Sequence, residues 1–122
     1  MKASINNYRQ APRKIRLITD LVKGKPAVKA QAILSRLIKR GSLPIKKLLD
    51  SAIANSGIDA SKLMIKSARV DKGVVIKRSM PRAMGRAFPI HKHTSNIIIE
   101  LSQVESEKAK SAESKKSGVS NT

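Results

Sequence analysis

Between residues 72 and 99 the chain carries Lys72, Lys77, Arg78, Arg82, Arg86 and Lys92 and not one aspartate or glutamate. Arginine presents a planar fork of N–H donors that matches phosphate oxygens, and it keeps its charge when water is excluded. A cationic run with no counter-charge is therefore the chemistry of polyanion binding. His91 and His93 add potential charge at lower pH. As a His-x-His pair they could supply half of a metal site. The nearest acids in sequence, Asp71 and Glu100, lie in strand or turn positions, and the chain has no cysteine, so no metal site and no cofactor are expected. Phosphate-loop, nucleophile-elbow and His-Glu-x-x-His patterns are absent, as is a paired-carboxylate site, so no catalytic residue is expected. The chemistry on offer is binding, not catalysis.

Composition points the same way. The 122 residues suit one domain and carry a formal net charge of +18. Solubility of a small domain needs only about 2–8 charges. The excess repels itself unless it lies beside a polyanion, where each neutralised phosphate releases a counterion. Residues 1–102 hold 22 basic against 5 acidic residues, whereas residues 103–122 hold 4 against 3. The second segment is rich in Ser, Lys and Glu and poor in large apolar groups. It is expected to be a disordered tail that makes no specific contact. Tyr8 and Phe88 are the two aromatic residues, so the core must be aliphatic. No apolar run approaches the roughly 20 residues that span a bilayer. Met1-Lys2-Ala3-Ser4 opens no apolar signal region or transit segment, and a cytosolic location is expected.

The elements that must position these cations follow from periodicity. Pro12 suits a first helical turn, Ile15, Ile18, Leu21 and Val22 recur at helical spacing, and Gly24 can close the helix. Pro26 opens a second helix whose apolar stripe is Val28, Ala30, Ile33, Leu34, Leu37 and Ile38, ended by Gly41. Ser42 is a plausible N-cap for a third, in which Ile45, Leu48, Leu49, Ala52 and Ile53 mark one buried face and Gly57 the left-handed C-terminal cap. After Gly57 the period changes. Residues 63–70 read as a strand, Asp71-Lys72-Gly73 as a turn, and Val74-Val75-Ile76 and Ile97-Ile98-Ile99 as β-branched strands. Three helices followed by three strands predict an α+β domain over residues 1–102, with the helices packed on a small antiparallel three-stranded sheet. The basic segment between the last two strands reads as a long protruding β-hairpin over about residues 74–99. It reverses near Ala83-Met84-Gly85-Arg86 with arms on the order of 30 Å. Its distal part has too few apolar groups to be buried, so it must be mobile or held by something else.

Three segments carry a resemblance. Residues 11–25, Ala-Pro-Arg-Lys-Ile-Arg-Leu-Ile-Thr-Asp-Leu-Val-Lys-Gly-Lys, look like the first helix of the large-subunit ribosomal protein L22 family (uL22), bacterial type. Residues 50–55 resemble its third-helix motif. The most specific is Lys77-Arg78-Ser79-Met80-Pro81-Arg82-Ala83-Met84-Gly85-Arg86-Ala87, similar to the family's K-R-x-x-P-R-A-x-G-R-A signature. With residues 93–97 the resemblance covers roughly residues 3–102. Three departures stand out. Ala11 replaces a common Ser and loses a side-chain cap, His93 stands where Arg is common, and Asn96 where His is common.

The resemblance implies a structural, rRNA-binding constituent of the large ribosomal subunit that supports subunit assembly. It implies a cytoplasmic ribosomal location, partners in 23S-type rRNA and neighbouring ribosomal proteins, no membrane, and a monomer within the ribosome. The hairpin tip would line the peptide exit tunnel, in contact with the nascent peptide. Carried over by position, it assigns rRNA binding to Arg13, Lys14, Arg16, Lys77, Arg78, Arg82, Arg86 and Lys92. It assigns the tunnel-lining tip to Pro81, Ala83, Met84, Gly85 and Ala87. From the residues alone, Phe88 can stack on a base or pack on the hairpin's own aliphatics. The rival reading is an architectural DNA-bending protein with a basic β-arm, whose Pro81 or Pro89 would wedge between base steps.

Overall fold

The computed structural model describes residues 1–104. It begins with a strand, β1 (Lys2–Tyr8), that periodicity did not predict. Three helices follow: α1 (Pro12–Val22), α2 (Ala27–Arg36) and α3 (Ser42–Ser56). A single 3-10 turn leads into β2 (Leu63–Lys72), and the chain continues through β3 (Ile76–Pro81), β4 (Ala87–Lys92) and β5 (Ser95–Gln103). The architecture is α+β, as expected. Its three-stranded antiparallel sheet, however, has the order β1-β5-β2, and β3 and β4 form a separate two-stranded ribbon. The predicted strand at residues 74–76 is thus not a sheet strand. Val74 and Val75 lie between β2 and β3 and are exposed, and only Ile76 enters the ribbon.

The β1 strand escaped prediction because its type is set by pairing and not by propensity. Ile5 and Tyr8 are its only strong strand formers, and Asn6 and Asn7 favour turns. Its backbone is held at the sheet edge by β5, with Ala3 opposite Ile99 and Ile5 opposite Ile97. The register shifts between Ile5 and Tyr8, where Asn7 takes a left-handed φ of 56°. Asn7 then donates its N–H to Asn96 Oδ1 at 2.8 Å. This gives Asn96, one of the three departures, a structural partner.

The helices cover one face of the sheet: α1 lies on β2, α3 on β1 and β5, and α2 against α3. Along β5, Ser95, Ile97, Ile99 and Leu101 point inward in strict alternation. They meet Ile15, Ile18 and Val22 of α1 and Ile45, Leu48, Leu49 and Ala52 of α3 in one aliphatic core. At about 25 cal/mol per Å² of apolar area buried, this is the main term holding the fold. The first and third helices sit where their spacing placed them, with Gly57 in the left-handed conformation at the end of α3.

The second helix is shorter than predicted. It stops at Arg36, and Leu37 is already extended (φ −73°, ψ 122°). Val28 and Ile38, counted in the apolar stripe, are 51% and 96% exposed, and Ala27, Ala30 and Leu34 form the buried side. Gly41 does not end α2. It is the N-cap of α3 and passes so close to α1 that a Cβ there would lie 2.8 Å from Ile15 Cδ1. Ser42 is the first helical residue and not the cap. Its buried hydroxyl turns back to donate to the carbonyls of Lys39 (2.7 Å) and Leu37 (3.1 Å), closing the loop left by the early stop.

The β2 strand runs through Asp71 and Lys72, so the predicted turn there is displaced to a break at Gly73. Beyond it the arms continue as the β3–β4 ribbon, in register from Ile76 opposite Lys92 to Pro81 opposite Ala87. Six paired residues span about 20 Å at 3.3 Å each. The remainder of the expected length is taken by the break and the tip loop. Residues 105–122, most of the segment predicted to be a tail, lie outside the described residues. Gln103, counted in that tail, pairs with Leu63 in the sheet.

Candidate nucleic-acid interface

The ribbon joins the core through a joint that is not a smooth continuation of the sheet. Between the last sheet pair, Lys72 with Ser95, and the first ribbon pair, Ile76 with Lys92, one arm has three residues and the other two. The extra residue makes this a bulge, which bends and twists a ribbon. The bend is fixed by hydrogen bonds. Gly73 donates its N–H to the Thr94 carbonyl at 2.9 Å, and the buried Thr94 hydroxyl donates to the Val74 carbonyl at 2.5 Å. Ser95, also buried, donates to the Gln10 carbonyl at 2.5 Å. These groups set the direction in which the ribbon leaves the core.

Register decides which side chains share a face of the ribbon. Ile76, Arg78, Met80, Phe88, Ile90 and Lys92 lie on one face; Lys77, Ser79, Pro81, Ala87, Pro89 and His91 lie on the other. Only Ile76 and Ile90 are half-buried, and every other ribbon residue is exposed. The Arg82 guanidinium sits 5.8 Å from the centroid of Phe88, within cation–π range. Phe88 remains 58% exposed, so its ring still offers a stacking surface.

At the tip, residues 82–86 form a loop closed by the Arg82 N–H donating to the Arg86 carbonyl at 2.9 Å. Gly85 takes the positive φ that its residue type suggested, 69°, and Met84 takes one as well, 63°. For Met84 the left-handed conformation costs about 1–2 kcal/mol. It leaves the Met84 side chain 96% exposed at the end of the ribbon. Pro81, Ala83, Gly85 and Ala87 surround it and are exposed too.

The predicted site residues fall into two groups. Lys77, Arg78, Arg82 and Arg86 are spread along the ribbon and tip. On α1, Arg13 and Lys14 are exposed, while Arg16 is partly committed to the fold, donating from Nη2 to the Val70 carbonyl at 3.2 Å. The structure joins the two groups through one cleft. Lys14 of α1 and Lys92 and His93 of the ribbon root line it, together with Arg9, Gln10 and Arg40. Arg9 and Arg40 were missed from sequence. They stand in loops 31 residues apart, and no local pattern brings them together. His91 and His93 have ring centroids 6.5 Å apart, and no group of three potential metal ligands occurs among the described residues. Among those residues the one ion pair is Arg69 with Asp71, at 3.5 Å, so none of the predicted site cations is neutralised by a carboxylate there.

A family model described as ribosomal protein L22p/L17e matches residues 3–102. The chain belongs to this ribosomal protein family. The L22p/L17e family is one of structural proteins and not of enzymes, in keeping with the absence of catalytic patterns in the sequence. Curated relatives carry the name large ribosomal subunit protein uL22. The chain is similar to the one from Mesoplasma florum, 47% identical over 105 residues, covering 83% of this chain and 94% of the relative. It is also similar to that of Mycoplasmopsis agalactiae, 45% identical over 84% of this chain and 93% of the relative. For Campylobacter fetus the figures are 44% over 88% of this chain and 98% of the relative. No helix among the described residues is long and apolar enough to cross a membrane.

Proposed function

We propose that this L22-family chain is a structural constituent of the large subunit of the cytoplasmic ribosome, that it binds 23S-type rRNA beside neighbouring ribosomal proteins, and that its ribbon tip lines the peptide exit tunnel. The observation that carries the reading is the ribbon itself. It is cationic on both faces, exposed along both strands, and free of any acidic residue from 72 to 99. A two-stranded ribbon is marginal in water, so its order and its charge both ask for a surrounding polyanion. RNA supplies the phosphates for Lys77, Arg78, Arg82 and Arg86, and each pairing adds to a salt-dependent affinity. The core contributes Arg13 and Lys14, and the bulge at Gly73 aims the ribbon relative to them.

The tip chemistry fits a wall that peptides pass. Ala83, Gly85 and Ala87 allow close backbone approach, and Met84 offers one flexible apolar side chain that adapts to many surfaces. Binding of a large-subunit rRNA transcript tests the first part: replacing Arg82 and Arg86 by Ala should weaken it, and duplex DNA should compete poorly. Equal affinity for duplex DNA would favour an architectural DNA-binding role. A photo-reactive residue at position 84 tests the second part. In translating ribosomes it should cross-link to the nascent peptide, and cross-links to RNA alone would remove the tip from the tunnel wall.

A further inference from the structure

We propose that the cleft between the first helix and the ribbon root is a dedicated phosphate site, gripping the RNA backbone through Arg9, Lys14, Arg40 and Lys92. The inference rests on the RNA-binding reading above and deepens it. The cleft measures about 700 Å³, room for more than a single ion. Its four cations come from four places in the chain: the loop after β1, the first turns of α1, the loop after α2, and the end of β4. Among the described residues no aspartate or glutamate lines it. Bringing four like charges to one concavity is unfavourable unless an anion enters, because concave walls focus the field.

Two further observations make phosphate the matching chemistry. Ala11 lines the same cleft as the N-cap of α1, without a side-chain cap and with no acidic residue in the first turn. The positive end of that helix is therefore uncompensated and adds to the four side chains. The cleft is also continuous with the ribbon. Lys92 shares a ribbon face with Arg78, so a phosphate strand that follows this face arrives at Arg9 and Arg40. A polynucleotide backbone satisfies both the row and its concave end, which a single small anion does not.

The test uses the full chain and a large-subunit rRNA transcript, with affinity measured across a salt series. Each phosphate that the protein no longer neutralises lowers the slope of log affinity against log salt by about 0.7–0.9. The double variant R9A/R40A should flatten the slope by about 1.5 and weaken binding roughly tenfold near 0.15 M salt. It should also expose a backbone segment to hydroxyl radicals distinct from the one exposed by R82A/R86A. R9K/R40K keeps the charge and should retain most of the slope. K29A/K47A removes two exposed cations outside the cleft and should leave the footprint unchanged. If R9A/R40A behaves like K29A/K47A while R82A/R86A still weakens binding, the cleft is not a phosphate site and the ribbon reading survives. The same result accompanied by disappearance of a protein cross-link in assembled subunits would assign the cleft to an acidic protein neighbour. If the unaltered chain does not bind the transcript, the underlying reading fails and this one with it.

Discussion

Gly73 stands where a methyl group does not fit. A Cβ there would lie 2.5 Å from Thr94 Oγ1 and within 3.2 Å of the side-chain oxygens of Asn7 and Asn96. Thr94 Oγ1 and Asn96 Oδ1 are held in hydrogen bonds of the joint that aims the ribbon, so neither can move without loosening one. Gly73→Ala is expected to destabilise the fold by about 1–3 kcal/mol, read as a lower denaturation midpoint. Arginines at the tip should behave oppositely. Arg82 and Arg86 are exposed at the ribbon tip, so their replacement by Ala should leave the free energy of unfolding within about 0.5 kcal/mol while RNA affinity falls. A midpoint that drops with affinity would mean that these side chains hold the fold and not the ligand.

At the scale of elements, the ribbon and the core are separable. Every residue of the aliphatic core lies outside β3 and β4. Replacing residues 76–92 by a short Gly-rich turn should therefore preserve helical and sheet signals and cooperative unfolding, and should abolish high-affinity RNA binding. A variant that no longer folds would show that the ribbon supports the core. What the sequence made legible follows the same division. The α1 and α3 helices bury regular stripes and were readable, and the ribbon was readable from its missing acids and its turn residues. Three features were not. The β1 strand owes its form to β5, not to Lys2, Ser4 or Asn6. The early end of α2 after Arg36 is not marked by local periodicity, and Gly41, expected to end it, instead packs closely against Ile15 and Ile18 of α1. The cleft collects Arg9, Lys14, Arg40 and Lys92 from distant segments, and only the folded chain brings them together.

For the whole molecule, charge is distributed unequally along the chain. The segment 1–102 carries 22 basic residues against 5 acidic ones, and the family match covers residues 3–102. Residues 105–122 hold 4 basic and 3 acidic residues and add little to the field. A chain ending after Val104 keeps the pairing of Gln103 with Leu63 and should enter large subunits as the full chain does. Ending it before Gln103 removes that pair and should lower stability slightly. Incorporation itself tests the central claim most directly. A tagged full-length chain, expressed in bacteria and run on a sucrose gradient, should sediment with large subunits and stay there through a high-salt wash. R82A/R86A should do so markedly less well when its supply is limited. Recovery of the full chain in free fractions, or with DNA and lost at moderate salt, would contradict the account.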